Sequence, residues 1–507
     1  MDTQHLKLAI GQRICTGFTG TEIPPELRSL IHDHKVGNIL LFSRNVVSFG
    51  QLSRLCRDLT ELVLQETGLP PLIMMDEEGG AVSRVGHLAG ETPSAGAVGA
   101  TGDMQNAASL GRIIGKRLRA AGVNMNLGPV LDCLSRPASA VMGNRCFSES
   151  PETVAAFGRA YIEGLRETGV LSCGKHFPGH GDTDVDSHFG LPVINKSLDA
   201  ARKVELVSFR EAIAAGTDAI MSAHVVYPEL DPSGVPATIS SRILQGLLRE
   251  ELGFKGLIIS DGMEMDAMRN LFPIDEGVFR ALKAGVDIAL VCHEPAEAAA
   301  ACRRVERAVR EGEMDPASLE AHLDRIQAAK RRLPVLPDPE TGKADFFSPR
   351  DQAEAKRIMA ASVRTEAGAV LPSADEHTLF VAVSSRRASP AADGGRLNAA
   401  DYAARHFGSD RAVTESAGDL WEQISRIAGT DGRSLSSAVF FLEKGDRLAE
   451  MKAEAVRLAE LGVPVTAVAL DTPFVLQDLP GQIAKIIAWQ YQALAIDQVI
   501  RILEENR

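Results

Sequence analysis

Short, largely apolar runs alternate with longer stretches of helical spacing through the first 333 residues. The apolar runs cover residues 8–15, 36–42, 71–76, 123–130, 168–174, 218–224, 256–261 and 286–291. Most lack the in-and-out alternation of a half-exposed strand, so they read as strands buried on both faces, the habit of parallel sheets. Between them, residues 24–35, 48–67, 106–121, 151–168, 198–215, 240–252 and 275–284 read as helices. In 48–67, Leu52, Leu55, Leu59, Leu62 and Val63 recur at three and four. Eight such units predict an α/β fold, a (β/α)8 TIM-like barrel. A doubly wound open sheet is the runner-up. No G-x-G-x-x-G follows the first strand, which argues against a dinucleotide fold.

Residues 294–332, rich in Ala, Glu and Arg, read as closing helices. Residues 334–349 carry Pro334, Pro337, Pro339, Pro349 and a Thr-Gly, the composition of a linker. One more helix follows over 348–367. The pattern then restarts, with strand candidates at 378–383, 437–442, 463–470 and 483–488. The expected organisation is a catalytic barrel over 1–333, a linker and connecting helix over 334–376, and a smaller α/β sandwich domain over 377–507. The second domain has no dense cluster of His, Asp and Glu, and reads as structural.

The chain has 507 residues and a net charge of −13, without a basic cluster. That balance makes nucleic acid and anionic membranes poor partners. The cysteines Cys15, Cys56, Cys133, Cys146, Cys173, Cys292 and Cys302 form no C-x-x-C pair and sit mostly in apolar segments. They suggest reduced core thiols and a cytoplasmic protein. The first residues show neither a signal peptide nor a membrane span.

Polar residues gather where the predicted strands end. Asp76 ends the third strand, Lys175 and His176 the fifth, Met221 and His224 lie at the sixth, and Asp261 ends the seventh. Barrel enzymes build their sites on that face. Asp261 follows Leu257-Ile258-Ile259-Ser260, a rigid mount of the kind a nucleophilic carboxylate needs for in-line attack. The fifth strand opens into Lys175-His176-Phe177-Pro178-Gly179-His180-Gly181-Asp182-Thr183-Asp184-Val185-Asp186-Ser187-His188. In Asp186-Ser187-His188 the carboxylate can hold the imidazole in one tautomer and raise its basicity, which suits proton transfer in both directions near neutral pH. Gly179, Gly181 and Gly190 suit a loop that closes over a ligand. The same loop offers enough ligands for zinc. However, the first strand lacks the H-x-H of hydrolytic metal barrels, and the acidic spacing is not that of a calcium loop. Arg84 and Arg145 lie in other strand-end loops and could bind carboxylate, phosphate or sugar hydroxyls.

The K-H-F-P-G-H-G-D-T-x-x-D-S-H run, with Met75-Asp76-Glu77-Glu78-Gly79-Gly80 before it and Ile259-Ser260-Asp261 after it, resembles family-3 glycoside hydrolases, and within them the β-N-acetylglucosaminidase branch. Ala488-Trp489-Gln490-Tyr491 resembles the end of two-domain members. The resemblance implies Asp261 as nucleophile and His188 as acid/base paired with Asp186. Asp76, Arg84, Arg145, Lys175 and His176 would surround the sugar, with Met221 and His224 beside them. It implies retaining hydrolysis of GlcNAc-containing oligosaccharides or muropeptides, without metal or cofactor. Gly262 stands where the family commonly has a second Asp. Phosphorolysis and β-glucosidase activity are variants within the family. A metal-dependent barrel hydrolase and a non-catalytic sugar-binding protein are the readings from other classes.

Overall fold

The computed structural model describes residues 2–136, 142–183, 190–383, 397–414, 417–429, 432 and 434–505. Eight parallel strands close into a barrel in chain order. They are β1 (Ile14–Thr16), β2 (Asn38–Leu41), β3 (Leu72–Met75), β4 (Met125–Asn126), β5 (Leu171–Phe177), β6 (Ala219–Ser222), β7 (Leu257–Gly262) and β8 (Ile288–Val291). The open-sheet alternative is thereby excluded. Side chains of alternate parity fill the barrel: Leu72 and Met74, Leu171 and Cys173, Ala219 and Met221, Leu257 and Ile259, Ile288 and Leu290. The opposite parity, including Ile73, Met75, Ile220 and Ile258, packs outward against the helices. Ile326 and Ala329, from the helix Pro316–Lys330, join the interior cluster.

Two sequence expectations need correction. The apolar run 8–15 is not one strand. Its first half belongs to a helix, Thr3–Gly11, whose start is capped by the Asp2 carboxylate accepting from the His5 N–H. A short apolar run fits a buried helix turn as well as a strand, and here Ala9 and Ile10 bury against neighbouring helices. The proline-rich stretch 334–349 is not wholly a linker either. It contains a helix, Pro339–Phe346, anchored by Phe346, whose ring lies 4.9 Å from that of Phe49.

The second sheet has six strands: β9 (Arg364–Thr365), β10 (Leu379–Val381), β11 (Ala412–Val413), β12 (Ala438–Leu442), β13 (Val465–Ala469) and β14 (Ala484–Ile487). Their order is β11-β10-β12-β13-β14-β9, all parallel except β9. The two-residue strands β9 and β11 are too short to carry a periodic signal. Helices cover both faces. Phe380, Val439, Phe441 and Val468 face one helical layer, and Val381, Phe440, Leu442 and Ala467 the other. Among the described residues, no helix is long and apolar enough to cross a membrane.

Candidate active site

The parity that fills the barrel also builds its mouth. Asp76 continues the inward row of Leu72 and Met74, Lys175 that of Leu171 and Cys173, and Asp261 that of Leu257 and Ile259. Each strand thus delivers one polar group at its C-terminal end, above an apolar floor. These three residues line a cavity of about 390 Å³, together with Arg84, Arg145, His176 and Met221. The pairing of β5 with β6 shifts register between Gly174 and Phe177, and beyond that irregularity His176 also reaches the cavity.

The charges form one alternating chain. Arg84 Nη2 lies 3.7 Å from Asp76 Oδ2, and Lys175 Nζ donates to Asp76 Oδ1 at 2.7 Å. Lys175 Nζ also lies 2.6 Å from Glu78 Oε1. Glu78 in turn accepts two bonds from Arg145, 2.9 Å from Nε and 2.8 Å from Nη2. Burial pushes the Glu78 carboxyl up, but the charges of Arg145 and Lys175 outweigh it and hold the group well below the usual carboxylate range. Lys175 and Arg145, which burial alone would favour as neutral, are kept cationic by Asp76 and Glu78 and by Glu78 respectively. The network is a connected set of charged donors and acceptors lining the cavity, well suited to sugar hydroxyls.

Glu77 points the other way. It is fully buried, and its carboxylate accepts from Ser83 Oγ, the Arg84 N–H and the Val85 N–H. This fixes the loop that carries Arg84. Asp132 does the same for the start of the histidine loop. Its Oδ2 accepts from the His176 backbone N–H at 3.1 Å and sits 2.7 Å from His176 Nδ1, while Oδ1 accepts from the His180 N–H at 2.6 Å. Burial raises the Asp132 carboxyl, but His176 outweighs it and keeps the group ionised. A carboxylate only accepts, so Nδ1 of His176 carries the proton. Burial, reinforced by His176, lowers His180 to about 4, so its ring is neutral.

Gly181 meets a close backbone approach. A Cβ there would lie 1.6 Å from the Cys133 carbonyl oxygen, so only glycine lets the loop pass. Tyr227 Oη donates to the Gly179 carbonyl at 2.8 Å, anchoring the same segment. The expected acid/base pair, Asp186 and His188, lies outside the described residues. Among the described residues, no three His, Cys, Asp or Glu side chains are grouped so as to hold a metal ion.

His224 does not line the cavity. It follows the parity of Ile220 and Ser222, which face away from the barrel interior. It is fully buried, with Nδ1 2.8 Å from Thr238 Oγ1 and Nε2 2.9 Å from the Gly262 carbonyl. It therefore supports the backbone immediately after Asp261. Asp261 Oδ1 accepts from the Gly262 N–H at 2.8 Å.

Sequence reasoning missed Glu78, Asp132 and Glu264. Glu78 sits three residues beyond the end of β3 on the same parity as Asp76, and Asp132 closes the apolar run after β4, so both carried a signal. Glu264 lines the cavity three residues after Asp261, and burial raises its carboxyl to about 7. The His293 N–H donates to its Oε1, while its buried Oε2 has no hydrogen-bond partner among the described residues.

The pattern described as "Glycosyl hydrolase family 3 N terminal domain" matches residues 6–329. The chain belongs to glycosyl hydrolase family 3. It is 38% identical over 283 residues to a protein of Stenotrophomonas maltophilia (strain R551-3) named Beta-hexosaminidase, covering 55% of this chain and 82% of that one. It is also 38% identical over 287 residues to Beta-hexosaminidase A of Pseudoalteromonas piscicida. There the match covers 54% of this chain but only 48% of that protein. A solved structure, a glycoside hydrolase family 3 beta-N-acetylglucosaminidase from Paenibacillus sp. str. FPU-7, superposes with a TM-score of 0.89 at 30% identity, over 99% of this chain and 97% of that one. The likeness to that family-3 enzyme extends through both sheets.

Proposed function

We propose that this family-3 glycoside hydrolase is a retaining, exo-acting β-N-acetylglucosaminidase that removes the terminal GlcNAc from muropeptide or chitooligosaccharide fragments. The observation that carries the reading is Asp261. It is delivered by β7, in phase with Leu257 and Ile259, into a cavity whose other walls carry the Asp76–Lys175–Glu78–Arg145 network. The names of the similar proteins supply the N-acetylhexosamine.

In this reading the network holds the hydroxyls of one terminal sugar. Asp76 accepts from them, and Lys175, Arg145, Arg84 and His176 complete the cradle, with Met221 against the apolar side. Asp261 attacks the anomeric carbon as the glycosidic bond breaks, giving a glycosyl-enzyme ester. His188, oriented by Asp186, protonates the leaving oxygen. It then takes a proton from water as water displaces Asp261, and the second inversion restores the starting configuration. The seven cysteines are all buried free thiols, which supports a cytoplasmic setting and thus turnover fragments of peptidoglycan as substrates.

The test is release of nitrophenol from the β-N-acetylglucosaminide, run beside the β-glucoside without phosphate, with the first-formed anomer read by proton NMR. Preference for the N-acetyl sugar and a β-configured first product are expected. Preference for the glucoside, or an α-configured first product, would overturn the reading. Repeating the assay in phosphate separates water from phosphate as acceptor: formation of a sugar phosphate would move the protein to phosphorolysis.

A further inference from the structure

The second domain grips the turn that carries Arg145. Asn144 is the point of contact: its N–H donates to Asp471 Oδ1 at 3.0 Å, and its side-chain Nδ2 donates to the Trp489 carbonyl. Lys444 Nζ stands 3.6 Å from Asp471 Oδ2, on the far side of the same carboxylate. Lys444, Asp471 and Trp489 each lie two residues beyond a strand end, after β12, β13 and β14, which are neighbours in the sheet. The C-terminal edge of such a parallel sheet is where an open α/β domain ordinarily takes its ligand. Here that edge holds the barrel's own 143–145 turn.

The fit is close. Gly143 has φ +35°, and a Cβ on it would lie 2.5 Å from Asp471 Oδ1. Trp489 adopts φ +66°, a left-handed conformation that a bulky residue rarely takes. In that conformation its carbonyl accepts from both Asn144 Nδ2 and Ser94 Oγ, and its indole N–H donates to the Ser362 carbonyl. Arg145, the next residue after Asn144, then meets Glu78 across the cavity rim. The turn that carries Arg145 is held by the second domain through Asn144, and the Arg145 guanidinium is held by Glu78 of the barrel.

We infer that Asp471 is a positioning residue for the sugar site: through the Asn144 N–H it sets where the Arg145 guanidinium stands, so the second domain takes part in substrate recognition without touching substrate. This rests on the reading of Arg145 as a sugar-binding residue. Guanidinium bonds to hydroxyls are sensitive to shifts well under the length of a bond, so loosening the turn weakens binding with little change at the reacting atoms.

The experiment compares Asp471→Ala, Asp471→Asn, Arg145→Ala and the double variant Asp471→Ala/Arg145→Ala on the aryl N-acetylglucosaminide, using the full-length protein. Asp471→Ala should raise KM about 10-fold with kcat changed less than about 3-fold, the signature of lost uniform binding. Asn keeps an acceptor for the Asn144 N–H, so Asp471→Asn should restore KM to within about 3-fold of the parent. If Asp471 acts through Arg145, the double variant should be no worse than Arg145→Ala alone, within about 2-fold. Glu91→Ala removes a separate interdomain bond, from the Leu494 N–H to Glu91 Oε2, and should leave KM unchanged. An unchanged KM in Asp471→Ala beside a raised KM in Arg145→Ala would overturn the inference while leaving the sugar site standing. Additive effects in the double variant, or an equal loss in Glu91→Ala, would reduce Asp471 to general domain cohesion and also overturn it. An unchanged KM in Arg145→Ala would bring down the sugar-site reading and the inference together.

Discussion

Glu78 and Arg145 face each other through two near-parallel hydrogen bonds of 2.9 and 2.8 Å, although neither residue is near the other in sequence and both side chains are almost wholly withdrawn from solvent. Lys175 adds a third bond to the same carboxylate. Removing one member of a buried pair is costly because the partner's charge remains. Glu78→Gln leaves Arg145 and Lys175 with one carboxylate between them, Asp76. The expected loss is about 3–5 kcal/mol of stability, read as a shift in the urea midpoint. KM for the aryl glycoside should rise as well. A variant with parental stability and KM would show that the pair neither holds the fold nor shapes the site.

Asp261→Asn tests the nucleophile. The amide is nearly isosteric and can still accept from the Gly262 N–H, so folding should be unaffected. Turnover should fall by a factor of at least about 10⁴, the scale on which covalent catalysts lose activity when the attacking group is removed. Retention of full activity would sink the double-displacement mechanism.

His188→Ala tests the acid/base. Nitrophenolate leaves without protonation, whereas a sugar alkoxide needs a proton. The variant should therefore lose about 10²–10⁴-fold on a chitobiose-type substrate and much less in the first step on the nitrophenyl glycoside. Equal losses on both substrates would assign the proton to another group.

Much of this site could be read from the chain because the same period-two rule governs the core and the chemistry. Asp76, Lys175 and Asp261 end apolar rows, and an apolar row in a parallel barrel has a defined inward face. His224 was misread for the complementary reason: it ends the opposite parity of β6 and turns away from the cavity. Asp132 and Glu78 were harder to read. Their meaning depends on His176 and Arg145, which arrive from other strand-end loops. The helix Thr3–Gly11 was hidden because four apolar residues do not distinguish a helix turn from a strand. The contribution of the second domain was invisible: no periodicity reports that Asp471 caps a turn belonging to the barrel.

Asp132→Ala should uncouple the start of the histidine loop. Asp132 receives the backbone N–H groups of His176 and His180 and fixes the His176 tautomer. Two buried N–H groups would lose their acceptor, at about 1–3 kcal/mol each. The variant should melt earlier and bind the sugar more weakly. Asp132→Asn keeps one acceptor oxygen and should fall between the two. Parental melting temperature and KM in Asp132→Ala would contradict the anchoring role.

Glu264 gives a pH dependence whose sign can be worked out. Burial raises its carboxyl from about 4.5 to about 7, so the folded protein binds this proton more tightly than the unfolded chain does. The contribution to stability is therefore fully present below the unfolded value, near pH 4.5, and is lost as pH rises through about 7, where the buried group must ionise. Glu264→Gln removes the titration while keeping the shape. Relative to the parent, the variant should gain stability progressively between pH 4.5 and 7 and hold a constant advantage above that, of order 3 kcal/mol. Chemical denaturation of both proteins from pH 4 to 8 measures this difference. A stability gap that does not change with pH would show that Glu264 titrates as an ordinary exposed carboxylate. A gap that narrows with rising pH would reverse the sign and identify a cation that stabilises its ionised form.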